Sequence, residues 1–293
     1  MSSLRDIRRH IRSVRNTAQV TKAMEMIASA KMRKAQQAAI NGRPYAFFLN
    51  RMLVSVRDHV DHLLHPFLQQ REAGRTLVIL LSTDRGLCGG LNSNLFREVA
   101  KCNRATTDFI SVGRKGTQFL TRAGYTVIAE FPIKEAPTAL DMRSVSKFAR
   151  EHFLTNDCRG VNIIFPRFIN TLSQKPQLIP LLPITSLEEA GVDISESIET
   201  AVSVASDSEL LIEPHPQAVL NTLLPFYIDF LVYQFTLATR ASEHSARMVA
   251  MKSATDSANK LIKDLTLSYN KQRQNSITTE ILEIATAQLA MNE

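Results

Sequence analysis

PFYIDFLVYQFTLATRASEHSARMVAMKSATDSANKLIKDLTLSYNKQRQNSITTEILEIATAQLAMNE, residues Pro225–Glu293, is the stretch whose reading decides the fold. It contains no Gly and no Pro after its first residue. As one helix it would run for roughly 100 Å at about 1.5 Å per residue, whereas helices of globular domains average about 11–12 residues. Met251, Ala254, Ala258, Leu261 and Leu265 alternate spacings of three and four. That is the seam of a coiled coil, and it predicts a partner helix, which the alanines would let approach closely. Past Leu265 the seam turns polar at Ser268 and Gln272, so Ser268–Thr279 makes a poor core strip. Ile281–Met291 is apolar and Ala-rich again, with Glu280 and Glu283 set in it. Three changes of character along one helix predict three environments.

The partner lies at the other end of the chain. Ser3-x-x-Asp6 reads as a capping box with Asp in the usual Glu or Gln place, which starts a helix at Leu4. Leu4, Ile7, Ile11, Val14, Ala18 and Thr21 hold a heptad. The stripe is expected to shift at Met24, Ile27 and Ala28 and to continue through Ala35 and Ala38. Gly42 and Pro44 punctuate this helix, and Pro44 predicts a kink because it removes a hydrogen bond. Helical spacing then resumes from Tyr45 to Leu64 and stops at His65-Pro66.

The other faces of this helix carry Arg5, Arg8, Arg9, Arg12, Arg15, Lys22 and Lys31, much of the excess of 35 Lys+Arg over 28 Asp+Glu. A basic helix of this kind suits phosphates. It has no helix-turn-helix or zinc spacing beside it, and its apolar face is committed, so nucleic acid is not expected. His59, His62 and His65 drift around the helix and do not converge on a metal.

From Arg75 the grammar changes. Thr76–Ser82 (TLVILLS) is a continuous apolar run, the pattern of a strand buried on both faces. The Gly-rich loop Thr83–Gly90 follows, then a helix over Leu91–Asn103. Strands are expected at Asp108–Val112, Tyr125–Phe131, Val161–Phe168 and Gln177–Ile184, the last two paired through a turn at Asn170–Lys175. Helices are expected at Gly113–Ala123 and Asp141–Phe153. This alternation predicts a mostly parallel α/β sheet covered on both faces. Ser186–Glu213 has eight carboxylates and no Lys or Arg. It reads as a loop with a short strand ending at Leu210–Ile212.

The chemistry is thin. Gly86, Gly89 and Gly90 stand between a strand and a helix, the place of a phosphate cradle. The Lys and hydroxyl of a phosphate loop are absent, as is G-x-G-x-x-G. The glycines therefore read as a tight turn or a close approach of chain. Ser82, Thr83 and Asp84 have no His beside them. No catalytic residue, cofactor or metal site is expected. Cys88, Cys102 and Cys158 form no CxxC pair and suit reduced thiols. The N-terminus lacks the apolar core of a secretory signal, and no apolar run approaches the roughly 20 residues of a membrane span.

Four strings in order resemble one family. Thr21–Lys34 (TKAMEMIASAKMRK), Asp84–Asn92 (DRGLCGGLN), Ala241–Asp256 (ASEHSARMVAMKSATD) and Tyr269–Glu280 (YNKQRQNSITTE) resemble the γ subunit of F-type ATP synthases, and the likeness covers almost the whole chain. The resemblance implies two long helices in an antiparallel coiled coil with a Rossmann-like α/β domain between them: 1–66, 67–216 and 217–293. It implies a rotor shaft without chemistry of its own. Expected partners are the α and β subunits of the catalytic ring, the ε subunit and the membrane ring of c subunits, without direct membrane insertion. The expected location is the cytoplasmic face of a bacterial plasma membrane.

Carried over by resemblance, the subunit-contact residues are Arg8, Arg9, Lys22, Met24, Cys88, Arg273, Gln274, Thr278 and Glu280. Ala287 and Gln288 stand where the family has Gly-Ala. The inserted segment with a cysteine pair that marks the chloroplast type is absent, so thiol control is not expected. Without the resemblance, a coiled-coil scaffold and a nucleotide-binding enzyme built on the α/β domain remain open.

Overall fold

The computed structural model describes residues 3–57, 65–155, 157–184, 213 and 215–291. His59, His62 and most of the acidic stretch, with its expected strand at Leu210–Ile212, lie outside them. In chain order the elements are α1 (Leu4–Arg57), β1 (Arg75–Leu81), α2 (Leu91–Val99), β2 (Thr107–Val112), α3 (Arg114–Arg122), β3 (Thr126–Phe131), α4 (Ala139–Thr155), β4 (Cys158–Phe168), β5 (Gln174–Leu182) and α5 (Pro216–Met291). They form two compact units, Met1–Ala28 with Met248–Glu293, and Ser29–Arg247.

The first unit is a two-helix coil. Ser3 and Asp6 cap α1 reciprocally: the Asp6 amide donates to Ser3 Oγ at 3.2 Å and the Ser3 amide to Asp6 Oδ2 at 3.3 Å. Thr21 and Thr255 share a hydroxyl hydrogen bond of 2.8 Å, and Arg8 donates to the Tyr269 hydroxyl at 2.5 Å. As the number on α1 falls, its partner's number on α5 rises, so the helices run antiparallel.

The buried and half-buried positions of α5 here are Met251, Ala254, Thr255, Ala258, Ile262, Leu265, Tyr269, Gln272 and Ser276, so the expected seam holds at Met251, Ala254, Ala258 and Leu265. It departs from expectation at Leu261 and at Ser268. Leu261 is 41% exposed and Ser268 is exposed, while Ile262 and Tyr269 take their places. Steps of three and four from Met251 land on either side of one stripe, about 60° one way and 40° the other. The partner decides between them, and Thr21 draws Thr255 in.

On α1 the stripe does not shift. It passes through Thr21, Glu25 and Ala28, with Met24 half-buried beside Glu25 and Ala35 and Ala38 half-buried as expected, while Ile27 is 55% exposed. Lys22 holds the Glu25 carboxylate at 3.1 Å, which lets an acid occupy a seam position.

The second unit is a five-stranded sheet of order β3-β2-β1-β4-β5. β1 pairs in parallel with β2 and β4, β2 in parallel with β3, and β4 antiparallel with β5. β1 and β2 are buried on both faces, as a continuous apolar run requires. Val78, Leu80, Phe109 and Ile164 pack under Leu95 and Val99 of α2 and Leu120 of α3. Leu77, Ile79, Ile110, Ile163 and Phe165 face the other way, towards Val145 and Phe153 of α4, Leu224, Leu231 and Phe235 of α5, and Leu49 and Leu53 of α1.

Gly42 and Pro44 do not interrupt α1, which continues as one helix to Arg57. A Cβ at Gly42 would fall 1.8 Å from the Gln234 amide of α5, so this glycine serves close approach. Among the described residues α5 alone is long and apolar enough to cross a membrane by composition, with an 18-residue window of mean hydropathy 1.3. Tyr227, Ile228, Leu231 and Val232 of this helix are buried in the protein core.

Candidate functional site

In open α/β sheets, ligands sit beyond the carboxyl ends of the strands where strand order reverses. That place lies between β1 and β4, beside the Gly-rich loop Thr83–Gly90. The buried Ser82 ties β1 to α3: its hydroxyl accepts from the Gly116 amide at 2.8 Å and donates to the Gly113 carbonyl at 3.0 Å. A Cβ at Gly113 or Gly116 would meet Ser82 at 2.5 or 2.6 Å, and Gly113 has φ +101. These are the glycines that close packing demands; Gly86 has open space around it. Asp84 accepts from the Arg114 amide at 3.0 Å, and Asn92 donates to Thr83 Oγ1 at 2.8 Å.

What lies over the loop is α5 itself. Arg247 donates to the Gly86 carbonyl at 3.3 Å and to Glu243 at 2.7 Å. Arg240 donates to Glu243 at 2.5 Å and to the carbonyls of Ile133 and Lys134, beyond β3, at 2.8 and 3.0 Å. Ser242 donates to the Pro166 carbonyl in β4, and Ser245 to the Thr171 carbonyl in the β4–β5 turn, both at 2.8 Å. The loop therefore offers carbonyls to cations of its own chain rather than amides to a phosphate. Two turns of α5 fill the crevice that a nucleotide would use.

His244 belongs to the same cluster. It is buried, and its Nδ1 has no hydrogen-bond partner. Burial pushes its pKa from 6.5 down to about 4; Arg247, Arg240 and Lys31 push the same way and Glu243 opposes them. Between those values the unfolded chain binds a proton that the folded chain does not, so this group's contribution to stability falls as pH drops from 6.5 and levels off below about 4. Denaturant titration of wild type and His244→Gln at pH 7.5 and 5 should differ in slope. The wild type is expected to lose roughly 2 kcal/mol more than the variant over that interval.

The contact residues expected by resemblance divide three ways. Arg273, Gln274, Thr278 and Glu280 are exposed on α5, and Arg273 has no hydrogen-bond or ion-pair partner among the described residues. Lys22, Arg8 and Arg9 are exposed but engaged, with Glu25, Tyr269 and Asp6 respectively, and Met24 is half-buried. Cys88 is only 2% exposed, against Leu91 and Ala246, and burial pushes its thiol pKa up. Its side chain has no open face, so Cys88 seats the loop; the exposed side chain there is Leu87, 61% exposed at φ +61.

The sequence singles out Ile27 and the apolar Ile281–Met291 tip, but not Val20, Met26 and Leu267, which are also exposed apolar residues of the two-helix unit. Strict heptad counting from Leu4 would have placed Val20 and Ile27 off the seam.

A family described as ATP synthase matches residues 3–291. The ATP synthase gamma chain of Opitutus terrae is 47% identical over 99% of each chain. That of Methylacidiphilum infernorum is 43% identical over 99% of this chain and 100% of its own. This chain belongs to the ATP synthase γ-chain family. Its fold is also that of a chain in the cryo-EM structure of Euglena gracilis mitochondrial ATP synthase, OSCP/F1/c-ring, rotational state 3, with TM-score 0.67 at 21% identity over 98% of this chain and 94% of that one. A chain of the Tetrahymena thermophila mitochondrial ATP synthase central stalk/c-ring structure has TM-score 0.59 at 24% identity, over 80% of this chain and 99% of its own. As a γ chain it is the central shaft of an F-type ATP synthase, a membrane-associated complex.

Proposed function

We propose that the two-helix unit turns inside a ring of α and β subunits, while the sheet unit engages the ε subunit and the c-subunit ring on the cytoplasmic face of a bacterial plasma membrane. Ion flow through the membrane ring then drives the shaft, and the shaft drives nucleotide chemistry carried out elsewhere. The last turns of α5 carry this reading. Arg8 pairs with Tyr269, so α1, which starts at Leu4, gives out near Ser276 of α5. Beyond it Ile281, Leu282 and Ile284 are exposed, and every described side chain from Ile277 to Gln288 faces solvent. A helix that is apolar on several faces needs a surrounding surface, and an apolar sleeve in the ring supplies one. Arg273 and Gln274 sit just before this segment and Thr278 and Glu280 at its start, where a charged ring loop would meet them.

Purification of the native complex through a tag on this chain tests the reading. The expected result is co-isolation of a nucleotide-hydrolysing ring with ε and c subunits. A partner set without such a ring would leave the scaffold reading standing. The isolated chain should show no stoichiometric Mg-ATP site by isothermal titration, since Arg240–Arg247 occupies the crevice. A micromolar site would favour the enzyme reading.

A further inference from the structure

The buried charges at the end of the sheet unit have no part in the contacts proposed above. Glu243 is 3% exposed on its side chain and lies between two arginines of its own helix, Arg240 at 6% and Arg247 at 13%. One carboxylate oxygen takes Arg240 and the other takes Arg247. Each guanidinium spends its remaining donors on main-chain carbonyls of a different loop: Arg240 on Ile133 and Lys134, Arg247 on Arg85 and Gly86. One acid thus fixes two forks, and the forks fix two loops. The cluster occupies the last two turns of α5 before Arg247, the boundary of this unit.

We propose that Glu243 is a positioning residue that locks the Gly-rich loop Thr83–Gly90 to α5, so that load passing between sheet and helix reaches the exposed Leu87 without slip. The proposal rests on the rotor reading above. Ion pairs of this depth contribute little net stability, because desolvation offsets their attraction. What they supply is direction: charge-assisted forks hold a geometry, whereas apolar contact is non-directional. The rest of the loop's seat against α5 is apolar, with Cys88 and Leu91 packed on Ala246. Without the acid, the buried Arg240 and the half-buried Arg247 lose the carboxylate that orients both and release the carbonyls they hold.

The test replaces Glu243 by Gln and takes two readouts. In the purified full chain, maleimide labelling is mapped by mass spectrometry. Cys88 should label about tenfold faster, while Cys158, buried in β4, stays unchanged. In the assembled complex, ions pumped per ATP hydrolysed should fall about twofold or more, with Glu243→Asp restoring part of both effects. Cys88 and Cys158 accelerating together would mean that Glu243 only holds the fold, and overturns the proposal. So does an unchanged pumping ratio. If Glu243→Gln does not fold, Arg247→Lys keeps the charge but loses the fork that holds the Gly-rich loop, and carries the same two readouts. A failure of the rotor reading looks different: the wild-type chain itself would support no pumping.

Discussion

Thr21→Cys with Thr255→Cys is expected to form a disulfide within one chain, close to completion, on mild oxidation. The two hydroxyls lie 2.8 Å apart across the antiparallel seam, at part-buried positions. The bond would close a separation of 234 residues, and in the chain-entropy account a loop of that size is worth about 5 kcal/mol against the unfolded state. Denaturant midpoints of the oxidised and reduced forms measure it. Ile27→Cys with Thr255→Cys is the control, because Ile27 points away from the seam and should crosslink poorly. Crosslinking of Leu4→Cys with Met251→Cys in its place would mean parallel helices and would sink the arrangement.

The same pair of threonines shows how far the seam is legible. Both heptads are visible in the sequence, and so is the pairing of the chain's two ends. Which residue follows Met251 is not, because Ala254 and Thr255 both border the stripe. The apolar choice favours Ala254, which is half-buried; Thr255 is buried more deeply, since Thr21 gives its hydroxyl a partner. At Glu25 the apolar choice is incomplete in the same way: Ile27 attracts the eye but is exposed, and an acid neutralised by Lys22 shares the stripe with the half-buried Met24. Hydrophobicity alone cannot see a polar group satisfied from across the seam or one turn away.

The sheet was easier to read, because TLVILLS at Thr76–Ser82 has one meaning in an α/β alternation. Its ends move for local reasons. β4 starts at Cys158 rather than Val161, since Arg75 of β1 pairs with it. α2 ends at Val99, and turns lead on to β2. The crevice was the least legible part. Arg240, Glu243 and Arg247 look in sequence like the solvated face of a long helix, three and four residues apart. Only the fold shows that this face is buried against the carboxyl ends of β1, β3 and β4, and that it answers the question posed by the Gly-rich loop.

Arg273→Ala is expected to assemble like wild type yet to change ATP hydrolysis and ion pumping. Arg273 is exposed and has no partner among the described residues. Its own helix offers none: Tyr269, one turn back, is engaged by Arg8, and Ile277, one turn on, is apolar. A cation left so is either solvated or held for a partner that arrives only in some rotary positions. A charge-assisted hydrogen bond contributes about 1.5–3 kcal/mol where water is excluded. Losing it from some positions and not others would shift their relative populations by roughly tenfold to a hundredfold. Assembly spreads over many contacts and should barely register the loss, so rate and coupling carry the effect. Lys271→Ala removes a nearby charge on the same helix and should leave both assays near wild type. Gln274→Ala should move them in the same direction as Arg273→Ala but less, because a neutral hydrogen bond is about half as strong. If Arg273→Ala runs like wild type in both assays, the side chain is solvated throughout the cycle and the contact with the ring is made by other residues of this band.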